Sequence, residues 1–562
     1  MIVTLVNFSK SKRKDLGAFY TPMPYAKKAA ELVQMAVERV PKENDYIILD
    51  RCAGTGNLEC ALIGLKDKNG DDLISHCVVS TYEYYEYKVL QERIGSDVRE
   101  IIPPTEANVV YENGRVANAD AMSEDFINNP IIKQYIDNPK CSVILFENPP
   151  YSNNTSKHFN DAAKEIGKTG KREKSYVFGE FKKFGLELCS VKNTAANDLT
   201  ILFIWSGFQY YLRKNTDSYI VFAPIQYHKT LGLIHHLFEK GYLFNRKYFH
   251  STEGAISCIY WSNEKSTPEQ QFSLSRYDID NAENIIYSGE TLINRAHITI
   301  AAYNDSRKFN SDTENGITCN SLGQEENKSG VVAKYNTNII AYISLKGFNI
   351  GPVTRYLMRV PYLSEIIKKH GYYLRDDVYI TKLPVFCAKH VPLDKWYEKD
   401  IYATTADGGD AYTKDKNFLK SCLIYTCLSN QNKCLSFDGS DGRRYQNELC
   451  FDNNALALKD LKKYQANKTT SLDDKEKELL KTWDKIISEA RETKNYNPEF
   501  NYGIYQITKE LNTFTVTGSG KNKKRNYDYI DLNSDLITLR TKLKQYYKSH
   551  ITQKMFKYEL LK

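Results

Sequence analysis

Cys141-Ser142-Val143-Ile144-Leu145-Phe146-Glu147-Asn148-Pro149-Pro150-Tyr151 is an apolar run that ends on two prolines. A run of this length with that stop reads as a buried strand. Neither proline can donate to a ladder or continue a helix, so the strand must end here. The end leaves two acceptors, the carbonyl of Pro149 and the side-chain oxygen of Asn148, beside the ring of Tyr151. Such a group suits a planar ligand with an exocyclic amino group. Read alone, the four residues 148–151 are equally well a Pro-rich turn.

Outward from this stretch, strand and helix patterns alternate. Residues 25–40 carry apolar side chains at helical spacing after Thr21-Pro22, a helix start. Residues 46–49 form a short strand, and Gly54-Thr55-Gly56-Asn57 then leads toward a helix expected to begin near Leu58. A second strand covers 77–82, with a helix over 85–94. Residues 109–111 and 142–146 read as further strands, 199–212 as a helix, 219–222 and 256–261 as strands. This alternation predicts an α/β, Rossmann-like doubly wound sheet. Ligands of such sheets bind at the carboxyl ends of the strands, where residues 54–56 and 148–151 both fall.

At 562 residues the chain exceeds one hydrophobic core, so more than one domain is expected. The change of character past Asn263 sets the expected boundary, with domains at 1–265 and 266–562. Residues 305–330 are polar and read as a loop or linker. Residues 347–386 are aromatic, β-branched and basic, and 454–491 are charged with helical periodicity. No apolar stretch reaches the length of a membrane span, and residues 1–10 are too short and polar for a signal peptide. A cytoplasmic protein is expected, nucleoid-associated if it binds DNA.

The net charge of +8 is modest but bunched. Lys10, Lys12, Arg13 and Lys14 form one cluster; Lys168, Lys171, Arg172 and Lys174 a second; Lys521, Lys523, Lys524 and Arg525 a third. With 42 tyrosines available for stacking, these favour a polyanionic partner such as nucleic acid. The 12 cysteines include no Cys-x-x-Cys pair, so reduced, mostly buried thiols are expected and no metal site.

Three further elements precede the tetrapeptide. Asp50-Arg51-Cys52-Ala53-Gly54-Thr55-Gly56 follows a strand and opens a helix, where glycines let a ligand approach the backbone. Glu83 stands 27 residues after Gly56, near the ~20-residue spacing of a ribose-binding acid. Asp120 lies in Ala119-Asp120-Ala121-Met122 and is placed to accept from an amino group.

In this order the segments resemble the N6-adenine-specific DNA methyltransferases that use S-adenosylmethionine, with the cofactor motif before the catalytic motif and target recognition C-terminal. Gly17-Ala18-Phe19-Tyr20-Thr21-Pro22 is similar to their first cofactor motif, and residues 50–56 to their glycine motif. Glu83 is similar to the ribose-binding acid and Asp120 to the adenine-binding acid. Asn148-Pro149-Pro150-Tyr151 matches the catalytic tetrapeptide letter for letter. Asp198-Leu199-Thr200-Ile201-Leu202-Phe203 is similar to a helical motif whose phenylalanine lines the cofactor pocket. The resemblance covers about residues 12–262.

It implies S-adenosyl-L-methionine as cofactor, bound by Tyr20, Thr21, Asp50, Gly54, Gly56, Glu83, Asp120 and Phe203. It implies catalysis by Asn148, Pro149, Pro150 and Tyr151 on N6 of a flipped adenine in double-stranded DNA. Residues 266–562 become an α+β target-recognition region, with Arg355, Arg359, Arg375 and Lys382 in its aromatic part. Arg51 stands where the family has proline, which leaves that turn less rigid. Tyr248 and Phe249 are the candidates for the aromatic against the far face of the base.

The expected setting is the modification enzyme of a restriction-modification system, with a separate restriction endonuclease as a further partner, or an orphan methylase. A fused nuclease is not expected: the cofactor motif lies almost at the start of the chain, and the C-terminal half holds no Asp…Glu-x-Lys cluster. Two alternatives stay open. One is a glutamine-N5 protein methyltransferase, which shares the tetrapeptide but lacks a large C-terminal region. The other is a non-catalytic DNA-binding specificity protein.

Overall fold

The computed structural model describes residues 20–103, 119–151, 175–188, 195–298, the short strands 317–318, 334–335, 339–344 and 357–358, and 371–562 except 440–441, 443 and 519–523. The expected strand at 109–111, residues 17–19, Arg355, Arg359, the basic clusters at 10–14 and 168–174, and most of 305–330 lie outside the described residues. The chain divides into two compact units. Unit 1 is 1–295 with 395–401, and unit 2 is 296–394 with 402–562.

Unit 1 is built on one nine-stranded sheet. Its strands are β1 (Asp45–Asp50), β2 (Cys77–Val79), β3 (Glu100–Ile101), β4 (Cys141–Glu147), β5 (Ser218–Ala223), β6 (His236–Asn245), β7 (Ala255–Lys265), β8 (Gln271–Ile279) and β9 (Ile285–Asn294). Their order is β3-β2-β1-β4-β5-β7-β6-β8-β9. The first five are mutually parallel, with Leu49 opposite both Val78 and Leu145. Every residue of β4 and β5 is buried, which explains their unbroken apolar sequence: parallel strands are covered on both faces. β7 runs antiparallel between β5 and β6. The sheet is therefore the doubly wound α/β sheet that the alternation predicts.

The sheet also runs past the boundary expected at 265. β8 pairs with β6 and β9 with β8, so residues 271–294 extend the same sheet. Phe272 and Leu274 are buried while Ser273 between them is exposed. That polar alternate residue hides the strand from a search for apolar runs.

Helix α1 (Met23–Glu38) starts beside Pro22, whose missing N–H costs nothing at a helix start. It buries Tyr25, Ala26, Ala29, Ala30, Val33 and Val37 in the core of unit 1. Helix α2 (Tyr84–Ile94) follows β2, and helix α3 (Leu199–Ser206) is capped by Asp198, whose Oδ1 accepts from the Thr200 amide at 3.1 Å. The helix expected to begin near Leu58 is a single turn over Asn57–Cys60.

Unit 2 is mainly helical, with small sheets. Helices α4 (Tyr379–Ala388), α5 (Lys416–Leu428), α6 (Leu456–Ala466), α7 (Asp474–Arg491) and α8 (Ile530–Tyr546) surround a core that includes Phe386, Leu423, Trp483, Leu539 and Tyr547. The helical pattern of 454–491 is thus two helices. Asn467 breaks it, and Asp473 restarts it through a capping box with Glu476. A three-stranded antiparallel sheet has Ile339–Ser344 between Leu357–Met358 and Gly371–Arg375. A separate two-stranded ribbon pairs Phe514–Thr517 with Lys524–Tyr527.

Candidate functional site

β1 lies between β2 and β4, and the chain leaves it toward β2 on one side and later enters β4 on the other. That reversal is the crevice at which doubly wound sheets bind ligands. The glycine segment leaves the carboxyl end of β1, and the tetrapeptide leaves the carboxyl end of its neighbour β4. The loop after β2 is tied to the glycine segment: Ser80 donates its amide to the Asp50 carbonyl and accepts from the Ala53 amide, each at 2.9 Å.

Gly54 and Gly56 both adopt left-handed φ, +57° and +82°, a region side chains resist. A Cβ on Gly56 would also come within 2.9 Å of Leu90 Cδ1, so this glycine lets α2 pack against the turn. At Gly54 the near neighbours are the Tyr20 ring and the Glu86 carboxylate.

Arg51 overturns the expectation of a less rigid turn. Its side chain is wholly buried and pairs with the equally buried Glu147. Nε donates to Oε1 at 2.5 Å and a terminal nitrogen to Oε2 at 2.8 Å. The guanidinium also donates to Ser206 Oγ at 2.8 Å and to the Phe203 carbonyl at 2.9 Å. Tyr219 adds its hydroxyl to Glu147 at 2.8 Å, and the rings of Tyr211 and Phe203 lie 4.6 and 5.1 Å from the guanidinium carbon. Burial opposes the Arg51 charge, but the Glu147 carboxylate more than offsets it and raises the guanidinium above its ordinary range. Where a proline would restrict one dihedral angle, this pair bolts the end of β1 to the end of β4.

Asp50 is buried behind the glycine turn. Its Oδ1 accepts from the Cys52 amide at 2.7 Å, while Oδ2 meets no donor. Glu59 is also buried, with its Oε2 unpartnered. Burial, then repulsion from Glu59 and Glu147, pushes the Asp50 carboxyl well above the usual range; burial pushes Glu59 up to about 7. Burial favours their neutral forms, in which the two acids hydrogen-bond each other behind the left-handed glycines.

Glu83 is half-buried and immediately precedes α2, where its carbonyl accepts from the Tyr87 amide. One turn on, Glu86 is buried and holds three hydroxyls. Oε1 accepts from Tyr20 at 2.9 Å and Tyr85 at 3.1 Å, and Oε2 from Thr81 at 2.8 Å. Glu86 therefore anchors Tyr20 to the β2 end, a role that escaped the sequence reading because nothing in its tyrosine-rich surroundings marks an inward carboxylate. Asp120 folds its own turn, its Oδ1 accepting from the Met122 amide at 3.0 Å, and its neighbour Ala119 packs on Tyr87 of α2. Phe203 is buried with its ring against Arg51.

At the tetrapeptide, Asn148 Nδ2 donates to Thr21 Oγ1 at 2.9 Å, and its Oδ1 accepts from the Tyr151 hydroxyl. Thr21 is buried, and its carbonyl accepts from Asn57 Nδ2 at 3.0 Å. One threonine thus joins the catalytic candidate to the glycine turn. Pro149 is buried, and the Pro150 carbonyl accepts from Thr200 Oγ1 at 3.1 Å. Asp198 Oδ2, at the start of the same helix, accepts from Tyr227 at 2.5 Å, bringing in the segment after β5. Burial pushes the Tyr151 phenol well up.

Of the two aromatic candidates, Phe249 is a core residue, 1% exposed and stacked on Tyr25 at 5.9 Å. Tyr248 is half-buried, and its hydroxyl donates to the Ile279 carbonyl. Eight of the ten described cysteines are buried, as the sequence leads one to expect. Among the described residues, Asp67, Asp71 and His76 bring potential ligand atoms within 4.8 Å of one another. Asp67 there already accepts from Tyr46 and from the Asn69 and Asp71 amides. No helix among the described residues is long and apolar enough to cross a membrane.

No protein-family model and no curated protein matches the sequence. Solved structures match it weakly. A DrdV–DNA complex shares 12% identity over 68% of this chain, with a TM-score of 0.36. This chain covers 39% of that one, well under two thirds of its length. The type IIL restriction-modification enzyme MmeI in complex with DNA shares 12% identity over 97% of this chain and 77% of its own, with a TM-score of 0.31. A putative class I S-adenosylmethionine-dependent methyltransferase from Listeria monocytogenes shares 11% identity over 50% of this chain and 78% of its own, with a TM-score of 0.26. The fold itself rests on the strand order and register of unit 1.

Proposed function

We propose that this chain transfers a methyl group from S-adenosyl-L-methionine to N6 of an adenine flipped out of double-stranded DNA. The observation that carries the proposal is the hydrogen bond from Asn148 to Thr21. It joins the tetrapeptide after β4 to a residue that also bonds the glycine turn after β1. A methyl donor in the turn and an amine at the tetrapeptide would then be held on adjacent strands.

When bound, the cofactor supplies an electrophilic methyl carbon. The protein's part is to orient and to exclude water. An adenine amino group is a poor nucleophile because its lone pair is delocalised into the ring. Accepting its hydrogens at Asn148 Oδ1 and the Pro149 carbonyl would localise that pair and aim it. Positioning and stabilisation of developing charge are therefore the main catalytic contributions. Thr21 fixes which way the Asn148 amide faces, and Thr200 fixes the backbone at Pro150. Tyr151 must exchange its bond to Asn148 for a stacking position over the base. A base inside a duplex cannot reach this crevice, which is why flipping is required.

Single-molecule sequencing of DNA from cells expressing the chain, scored for N6-methyladenine, tests the proposal. A methylated motif that disappears in the Asn148→Ala variant supports it. Unmodified DNA together with cofactor-dependent labelling of a protein glutamine would overturn it.

A further inference from the structure

The ribbon Phe514–Thr517/Lys524–Tyr527 is unusual in being exposed on both faces. All four residues of its first strand and the first three of its second are exposed, with Val516 at 52%. A lone two-stranded hairpin is marginal in water unless one face packs on something. Among the described residues, its hydrogen bonds to the rest of the chain lie at its base. Asp528 donates its amide to the Thr513 carbonyl at 3.0 Å and accepts from the Thr513 hydroxyl at 2.5 Å, while Asn512 donates to Asn533 of α8 at 3.1 Å. Tyr529, just beyond, accepts from the Lys494 amide at 2.9 Å. The ribbon is thus a projection with a rigid foot.

Register divides its side chains into two sets. Phe514 faces Tyr527 and Val516 faces Arg525 on one side; Thr515 faces Asn526 and Thr517 faces Lys524 on the other. The first set packs on itself: the Phe514 and Tyr527 rings are 5.3 Å apart, and the Arg525 guanidinium lies 4.7 Å from the Phe514 ring. This gives the ribbon its own small apolar spine. The second set is short and polar, and Asn526 reaches Thr517 diagonally at 3.4 Å. Residues 511–527 contain Lys521, Lys523, Lys524 and Arg525 and no acid.

We propose that this ribbon enters the major groove of double-stranded DNA with its Thr515, Thr517, Lys524 and Asn526 face toward the base edges. The proposal rests on the DNA reading above and deepens it. A two-stranded ribbon fits that groove, which is ~12 Å wide. Thr, Asn and Lys are side chains that read base edges there, and an acid-free basic segment suits the flanking phosphates.

The test uses the full chain and the duplex motif recovered by sequencing, with an unrelated duplex as comparison. Thr515→Ala with Asn526→Ala should cut the preference for the motif at least about tenfold. Lys524→Ala with Arg525→Ala should weaken binding to both duplexes and lower the slope of log affinity against log salt by about 1–2. Thermal melting should match the parent, because these side chains are exposed. Variants with unchanged preference and unchanged salt slope would overturn the inference while leaving the methyltransferase reading intact. Loss of self-association in sedimentation, with DNA binding unchanged, would overturn it too and assign the ribbon to a second copy. If the parent makes no N6-methyladenine, a binding defect in the Lys524/Arg525 variant on plasmid DNA would still support the inference; normal plasmid binding would overturn it.

Discussion

Arg51 and Glu147, 96 residues apart in sequence, form a two-point ion pair from which water is excluded. Removing either partner leaves a buried charge uncompensated, which costs about 3–5 kcal/mol. Arg51→Met or Glu147→Gln should therefore lower the chemical-denaturation midpoint of the full chain strongly. The double variant Arg51→Met/Glu147→Met, which leaves no charge behind, should recover much of that loss. Additive losses in the double variant would show that the two side chains do not act as a pair.

Asn148→Ala should reduce methyl transfer by at least about 10²–10³-fold, the scale for losing one positioned polar contact in a transition state. Cofactor affinity, followed by calorimetry, should stay within a few fold. Tyr151→Phe keeps the ring but removes the hydroxyl bonded to Asn148, so it should retain most activity. Tyr151→Ala should lose about 1–3 kcal/mol of base stacking, read as weaker binding of DNA with an abasic site opposite the target.

The acids at the end of β2 should separate by assay. Glu83→Ala should weaken cofactor binding about tenfold, the scale of one charge-assisted hydrogen bond, with little change in stability. Glu86→Gln should mainly lower stability, since it disturbs bonds from Tyr20, Tyr85 and Thr81 in a buried site. The reverse pattern would transfer the ribose-binding role from Glu83 to Glu86.

Burial raises the Glu59 carboxyl from its ordinary 4.5 to about 7. The folded state then holds the proton more tightly than the unfolded state. The stability this supplies is complete below about pH 4.5 and is lost as pH rises through about 7. Relative to Glu59→Gln, which cannot titrate, the parent should lose up to about 3 kcal/mol between pH 4.5 and pH 8. Urea midpoints across that range, taken as the difference between the two proteins, provide the measurement; a flat difference would show that Glu59 is charged throughout.

What could be read from the sequence follows from what buries locally. β1, β4 and β5 each carry a central apolar run and stop at Gly, Pro or polar residues, so their positions were legible. Arg51 was misread because its meaning lies in Glu147, and a pair so distant in sequence has no local signature. Glu86 escaped for a related reason: in the run Tyr84-Tyr85-Glu86-Tyr87 nothing distinguishes an inward carboxylate from a solvated one. In β8 the buried Phe272 and Leu274 alternate with polar residues, so the sheet seemed to end near 265.

Residues Lys395–Ile401 carry a practical consequence for engineering. They are separated in sequence from the rest of unit 1 by about a hundred residues, yet they are part of it. The Lys399 carbonyl accepts from the Ala255 amide at the start of β7, and Tyr397 lies 4.1 Å beneath the Arg276 guanidinium. The Ile401 carbonyl accepts from the buried Lys229 ammonium at 2.7 Å. A foreign segment spliced in for everything after 295 would strip this segment from its host. Replacements of unit 2 should therefore be made as two insertions, 296–394 and 402–562, with the native segment retained between them.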